Sequence, residues 1–123
     1  MEQTDSIKWL QQTVMDMINA RGWKPSDRGL AISMALEAAE VLEHFQWEDY
    51  EVRQDQDEIA EELADVVIYM LQFMYNRKID IGKAVVAKLE KSAKRYPVGQ
   101  TAAQYYGAKL AKRGGAPRQA EAA

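Results

Sequence analysis

Two pairs of carboxylates, Glu37-x-x-Glu40 and Glu62-x-x-Asp65, are the residues of this 123-residue chain best spaced to do chemistry. They stand in MALEAAEVLEHFQW and EIAEELADVVIYML, segments with helical patterning, and residues three apart on a helix share a face. Two such helices packed together would gather four carboxylates into one pocket. An all-oxygen donor set suits Mg²⁺, which keeps coordination positions for water and phosphate oxygens, and Mn²⁺ accepts the same donors. A di-iron centre also uses inward-facing Glu but needs Glu-x-x-His on two helices. Here Glu40 is followed three residues later by Glu43 and Asp65 by Ile68, and His44 stands at the wrong spacing.

The plain alternative is that these acids are the solvated faces of amphipathic helices. Three features of the sequence weigh against it. Same-face carboxylates repel, and a solvent-facing helix normally interleaves Lys or Arg among them. From Glu37 to Asp65 the single cation is Arg53. Next, His44 and Trp47 continue one acidic stripe and Tyr69 the other; a solvated face has no use for Trp, whereas a nucleotide pocket stacks a base on it. Finally, Ala38, Ala39, Ala60 and Ala64 permit close approach of the two helices, which leaves a cation as the natural occupant between the acids.

The elements that must position these groups are helical. The first helix runs from about Ser6 to Ala20, with Ile7, Leu10, Val14, Met17 and Ile18 as its apolar stripe. Gly22 and Pro25 stop it, and Ser26 or Asp27 caps a second helix reaching about Trp47. The third begins near Gln54 to Asp57 and ends at about Asn76; a fourth spans roughly Gly82 to Arg95, before Tyr96-Pro97-Val98-Gly99. A short helix is expected around Thr101 to Lys112, and the remainder is polar and Gly/Ala-rich. The expected organisation is one all-α domain over residues 1–99 and a tail over 100–123.

Composition narrows the function classes. The chain has no cysteine and one histidine, which removes disulfides, thiolate metal sites and His-rich zinc clusters. No apolar run approaches the roughly 20 residues of a membrane span, and the N-terminus lacks a signal-peptide pattern, so a cytoplasmic protein is expected. The net charge of -3 conceals an acidic centre and a basic stretch beyond Arg77. Polymeric nucleic acid asks for a continuous basic face and is not the expected partner. A small polyanion held jointly by metal ions and Lys/Arg is.

MALEAAEVLEHFQW, then EIAEELADVVIYML, then IDIGKAVVAKLEKSAKRYPV, resembles the MazG-like all-α nucleoside triphosphate pyrophosphohydrolases, in particular the dCTP pyrophosphatase-like branch. The resemblance covers about Trp23 to Val98. It implies a four-helix bundle completed by oligomerisation to a dimer or tetramer, and Mg²⁺-dependent cleavage of a (d)NTP to the monophosphate and pyrophosphate. Glu37, Glu40, Glu62 and Asp65 match the family's Mg²⁺ ligands. Trp47 and Tyr69 match positions lining the nucleoside pocket, and Trp23 an upstream Trp of similar role. Lys88, Lys91 and Arg95 on the basic fourth helix are candidate phosphate contacts, with a solvated basic face as the alternative. For the general base, Glu37, Glu40 and Glu61 all stand open.

The departures from the family pattern concern the base more than the chemistry. Leu36 stands where many members carry a second Glu, the Trp23–Gly29 loop lacks a Phe-His pair and an Asn, and Ser92 replaces an Asn late in the fourth helix. A rival from another class is a helical oligomerisation or nucleotide-binding module without catalysis. Such a module would release no pyrophosphate.

Overall fold

The computed structural model describes residues 6–46, 55–99 and 101–113, and Trp47 lies outside them. Five helices follow in order: α1 (Ile7–Ala20), α2 (Asp27–Glu43), α3 (Gln56–Asn76), α4 (Ile81–Arg95) and α5 (Ala102–Lys112). No strand occurs among the described residues. The chain groups into two compact units, Met1–Gly82 and Lys83–Ala123.

Helix starts follow the sequence chemistry closely. Ser6 accepts a hydrogen bond from Trp9 N–H, Ser26 from Gly29 N–H, and Asp55 from both Asp57 and Glu58 N–H. Each satisfies a donor that the first turn leaves without a helical partner. Asp57 and Glu58 also place negative charge at the positive end of α3. Thr101 and Gln104 form a reciprocal capping box at the start of α5.

In the first unit α3 packs against both α1 and α2. The α2–α3 pair is antiparallel, and two polar ties fix its register. At one end Asn76 Nδ2 donates to Pro25 O at 3.4 Å and to Asp27 Oδ1 at 3.3 Å. At the other, His44 Nε2 meets Glu62 Oε2 at 2.7 Å. α2 therefore ends earlier than its periodicity implies. His44 and Phe45 turn tightly onto the carbonyls of Val41 and Leu42, and this turn brings the His44 ring to Glu62.

The apolar stripe of α1 is also rotated from the expected one. Met15 and Ile18 are buried, while Ile7, Leu10 and Met17 stay exposed. The cause lies in the contact with α3, where Gln11 Nε2 donates to Leu71 O at 3.0 Å. Gln11, Met15 and Ile18, at i, i+4 and i+7, thereby form the inward face. Leu30 and Leu71 are the other buried apolar side chains among the described residues.

Candidate functional site

The carboxylates on facing turns of α2 and α3 do interact. The Glu37 carboxyl is held above the ordinary glutamate range, first by a side-chain hydrogen bond with Glu40. A hydrogen bond between two carboxyls needs a proton, and here Glu37 favours keeping it. Loss of solvation comes next, followed by the charges of Glu40, Asp65 and Glu62. One oxygen of Glu37, Oε2, is sealed from solvent without any hydrogen-bond partner. Glu61, by contrast, is exposed and is not among the groups acting on Glu37.

These observations decide whether a hard cation suits the site. The donors are all carboxylate oxygens, their mutual repulsion is relieved by positive charge, and the orphaned Glu37 oxygen would gain a partner. Among the described residues no three Asp, Glu or His side chains converge as a ready-made ligand set. Glu62, for its part, has an oxygen bonded to His44. The chemistry of the donor set therefore fits Mg²⁺, while coordination would require side-chain rearrangement around Glu62.

His44 escaped the sequence reading as a partner because its role depends on the α2–α3 register. A carboxylate oxygen only accepts, so Nε2 must carry the shared proton. His44→Ala is expected to raise the Mg²⁺ concentration for half-maximal thermal stabilisation by about 10–100-fold, the usual cost of losing a ligand's orienting partner. His44→Gln, which keeps a donor, should recover most of it. An unchanged Mg²⁺ titration in His44→Ala would assign the pair to packing alone.

Beside the carboxylates, the first unit contains a groove of about 860 Å³ bordered by α1, the α1–α2 loop, α2 and α3. Ile18 and Leu30 form part of its apolar wall, Trp23 and Tyr69 are its aromatic edges, and Asp65 and Gln72 are polar. Trp23 reaches it because Gly22 closes α1 in the left-handed region, at φ 67°. Gly22 N–H bonds Asn19 O at 3.0 Å and Trp23 N–H bonds Ile18 O at 3.3 Å. That φ suits glycine and strains other residues. The Arg21 guanidinium lies 5.8 Å from the Trp23 ring centroid.

In the second unit Lys88, Lys91, Ser92 and Arg95 of α4 share a recess of about 350 Å³ with Tyr96 and with Lys109 of α5. The three cations named from the sequence thus come together, and Lys109 joins them. Its contribution was invisible beforehand, since residues of both α4 and α5 line the recess. Arg95 is steadied by Tyr96, with its guanidinium carbon 5.8 Å from the ring centroid.

Residues 32–108 match the model of the MazG-like family, a span that includes all four carboxylates and the basic helix. The chain belongs to the MazG-like family. This MazG-like chain is 29% identical over 87 residues to dCTP pyrophosphatase 1 of Bos taurus, covering 63% of this chain and 52% of that protein. It is 31% identical over 87 residues to dCTP pyrophosphatase 1 of Rattus norvegicus, covering 63% and 51%. The chain spans about half the length of the curated relatives it matches. Among solved structures it is similar to a pyrophosphatase from Archaeoglobus fulgidus, with a TM-score of 0.69 and 32% identity over 79% of this chain and 97% of that one. The all-helical expectation holds, as does the resemblance to this family. Among the described residues no helix is long and apolar enough to cross a membrane.

Proposed function

We propose that the protein is a Mg²⁺-dependent nucleoside triphosphate pyrophosphohydrolase, cleaving a (d)NTP between the α and β phosphates to (d)NMP and pyrophosphate. One observation carries this reading: Asp65 belongs both to the carboxylate cluster and to the wall of the aromatic-edged groove. A ligand with a base in the groove would bring its 5′ phosphates towards the acids. The names of the relatives favour a dCTP-like substrate.

Glu37, Glu40, Glu62 and Asp65 would hold the ion, with Mn²⁺ as a substitute. When bound, Mg²⁺ supplies neutralising charge for phosphate oxygens and lowers the pKa of water. Glu37, Glu40 and Glu61 are the candidates for the proton acceptor. Trp23 and Tyr69 would flank the base. The recess of Lys88, Lys91, Arg95 and Lys109 suits phosphate oxygens through charge-assisted hydrogen bonds.

Assembly as a homodimer or tetramer is part of the proposal. Ile32, Leu36, Leu42, Leu63 and Val67 of α2 and α3 are each more than a third exposed, which supports coverage by another copy. The expected setting is the cytoplasmic nucleotide pool, with no role for polymeric nucleic acid.

The test is a screen of the eight common (d)NTPs with Mg²⁺ and pyrophosphate detection. Pyrophosphate release from at least one nucleotide, lost with EDTA, is the expected result. No release from any of them would favour the non-catalytic module.

A further inference from the structure

Gln72 is a buried polar residue of the groove that the proposed chemistry does not use. It is 3% exposed, on the same face of α3 as Asp65, Ile68 and Tyr69. Burying an amide is unfavourable unless its hydrogen bonds are made. The side chain makes one weak bond, from Nε2 to Ile68 O at 3.3 Å. Ile68 O is already the helical acceptor for the Gln72 backbone N–H, so this bond adds little to the fold. One amide N–H and both lone pairs of Oε1 remain uncommitted. Nor is Oε1 sealed away, since Glu37 Oε2 is the only closed-off, partnerless side-chain atom among the described residues.

Oε1 therefore opens onto the groove. With Nε2 turned back to Ile68 O, Oε1 is the amide atom left to meet a ligand. Along α3, Asp65 stands at the carboxylate end, Tyr69 one turn further, and Gln72 seven residues from Asp65. At 1.5 Å per residue that is about 10 Å. A nucleotide laid along this face would meet the acids with its phosphates, Tyr69 with its base plane and Gln72 with its base edge.

We infer that Gln72 is a specificity-determining residue whose amide oxygen reads the edge of the nucleobase and separates cytosine from uracil. This rests on the nucleotide reading of the groove. Cytosine presents an amino donor to that oxygen. Uracil, nearly identical in shape, presents the O4 acceptor at the same position. The amide oxygen accepts from the first and is opposed by the second. A site built around such a hydrogen bond rejects the mismatched analogue, because buried polar groups are left unpaired.

The experiment measures binding of dCMP and dUMP by calorimetry in the presence of Mg²⁺, so that no catalytic step is needed. Wild type should bind dCMP about tenfold or more tightly than dUMP. Gln72→Leu should bring the two within about twofold of each other while melting no lower than wild type. Gln72→Met, unbranched and of similar length, repeats the comparison should the Leu variant fold poorly. Equal affinities in wild type, or a preserved ratio in both variants, overturns the inference. Parallel assays of pyrophosphate release from dCTP and dUTP separate the two ideas. Discrimination lost in the variants without hydrolysis by wild type would uphold the Gln72 role and sink the hydrolase reading. Hydrolysis with an unaltered ratio would do the reverse.

Discussion

Glu62→Gln and Asp65→Asn are each expected to reduce Mg²⁺-dependent pyrophosphate release by about a thousandfold or more, with far-UV circular dichroism near wild type. Metal ions contribute several kcal/mol of charge stabilisation to a phosphoryl transition state. Each ~1.36 kcal/mol corresponds to tenfold in rate. The two substitutions should differ in a second respect. Asp65 also lines the groove, so Asp65→Asn changes the surface a nucleotide meets, while Glu62→Gln alters a residue bonded to His44. Asp65→Asn removes a negative charge from a crowded cluster, which should leave the metal-free protein no less stable. Turnover within about tenfold of wild type in both variants would remove the proposed metal site.

The second large effect is on the pH dependence of stability. The Glu37 carboxyl is raised above its ordinary value of 4.5, so the folded chain holds this proton more tightly than the unfolded chain. Stability from this group is fully present below pH 4.5 and is lost as pH rises through the raised folded value. In EDTA, the Tm of wild type should therefore decline upward from that window, and Glu37→Gln should flatten the decline. Mg²⁺ acts in the opposite sense, because it binds the ionised carboxylates. Its stabilisation should grow with pH, reaching roughly 5 °C near neutrality, the shift that about 1 kcal/mol of linkage gives a domain of this size. In Glu37→Gln that Mg²⁺ response should largely vanish. A metal-free Tm that climbs over the same pH range would contradict the assignment.

What could be read from the chain beforehand was mostly local. Ser6, Ser26 and Thr101 mark helix starts because capping is a contact with residues three further on. The carboxylate pairs could be recognised because i, i+3 spacing is a property of one helix. The hidden features depend on register between helices. His44 meets Glu62 only after α2 breaks at Glu43. The inward face of α1 was misplaced because Ile7, Leu10 and Met17 form as good an apolar stripe as the Gln11–Met15–Ile18 face that packs on α3. Gln72 looked like any polar helical residue, since nothing in a single helix distinguishes a buried amide from a solvated one. Lys109 lies 14 positions beyond Arg95 and joins the basic recess only in the folded chain.

The common helical face of Asp65, Tyr69 and Gln72 constrains how such a protein can change over evolutionary time. Inserting or deleting one residue between Asp65 and Gln72 would rotate one group about 100° away from the other. New substrate preferences must therefore arise on α3 by exchange of side chains at fixed positions, with chain length conserved between them. The α1–α2 loop carrying Trp23 has no such restriction, because loops absorb insertions without disturbing a helical repeat. Variation in length should accumulate in that loop among descendants of this chain, and variation in residue type at position 72.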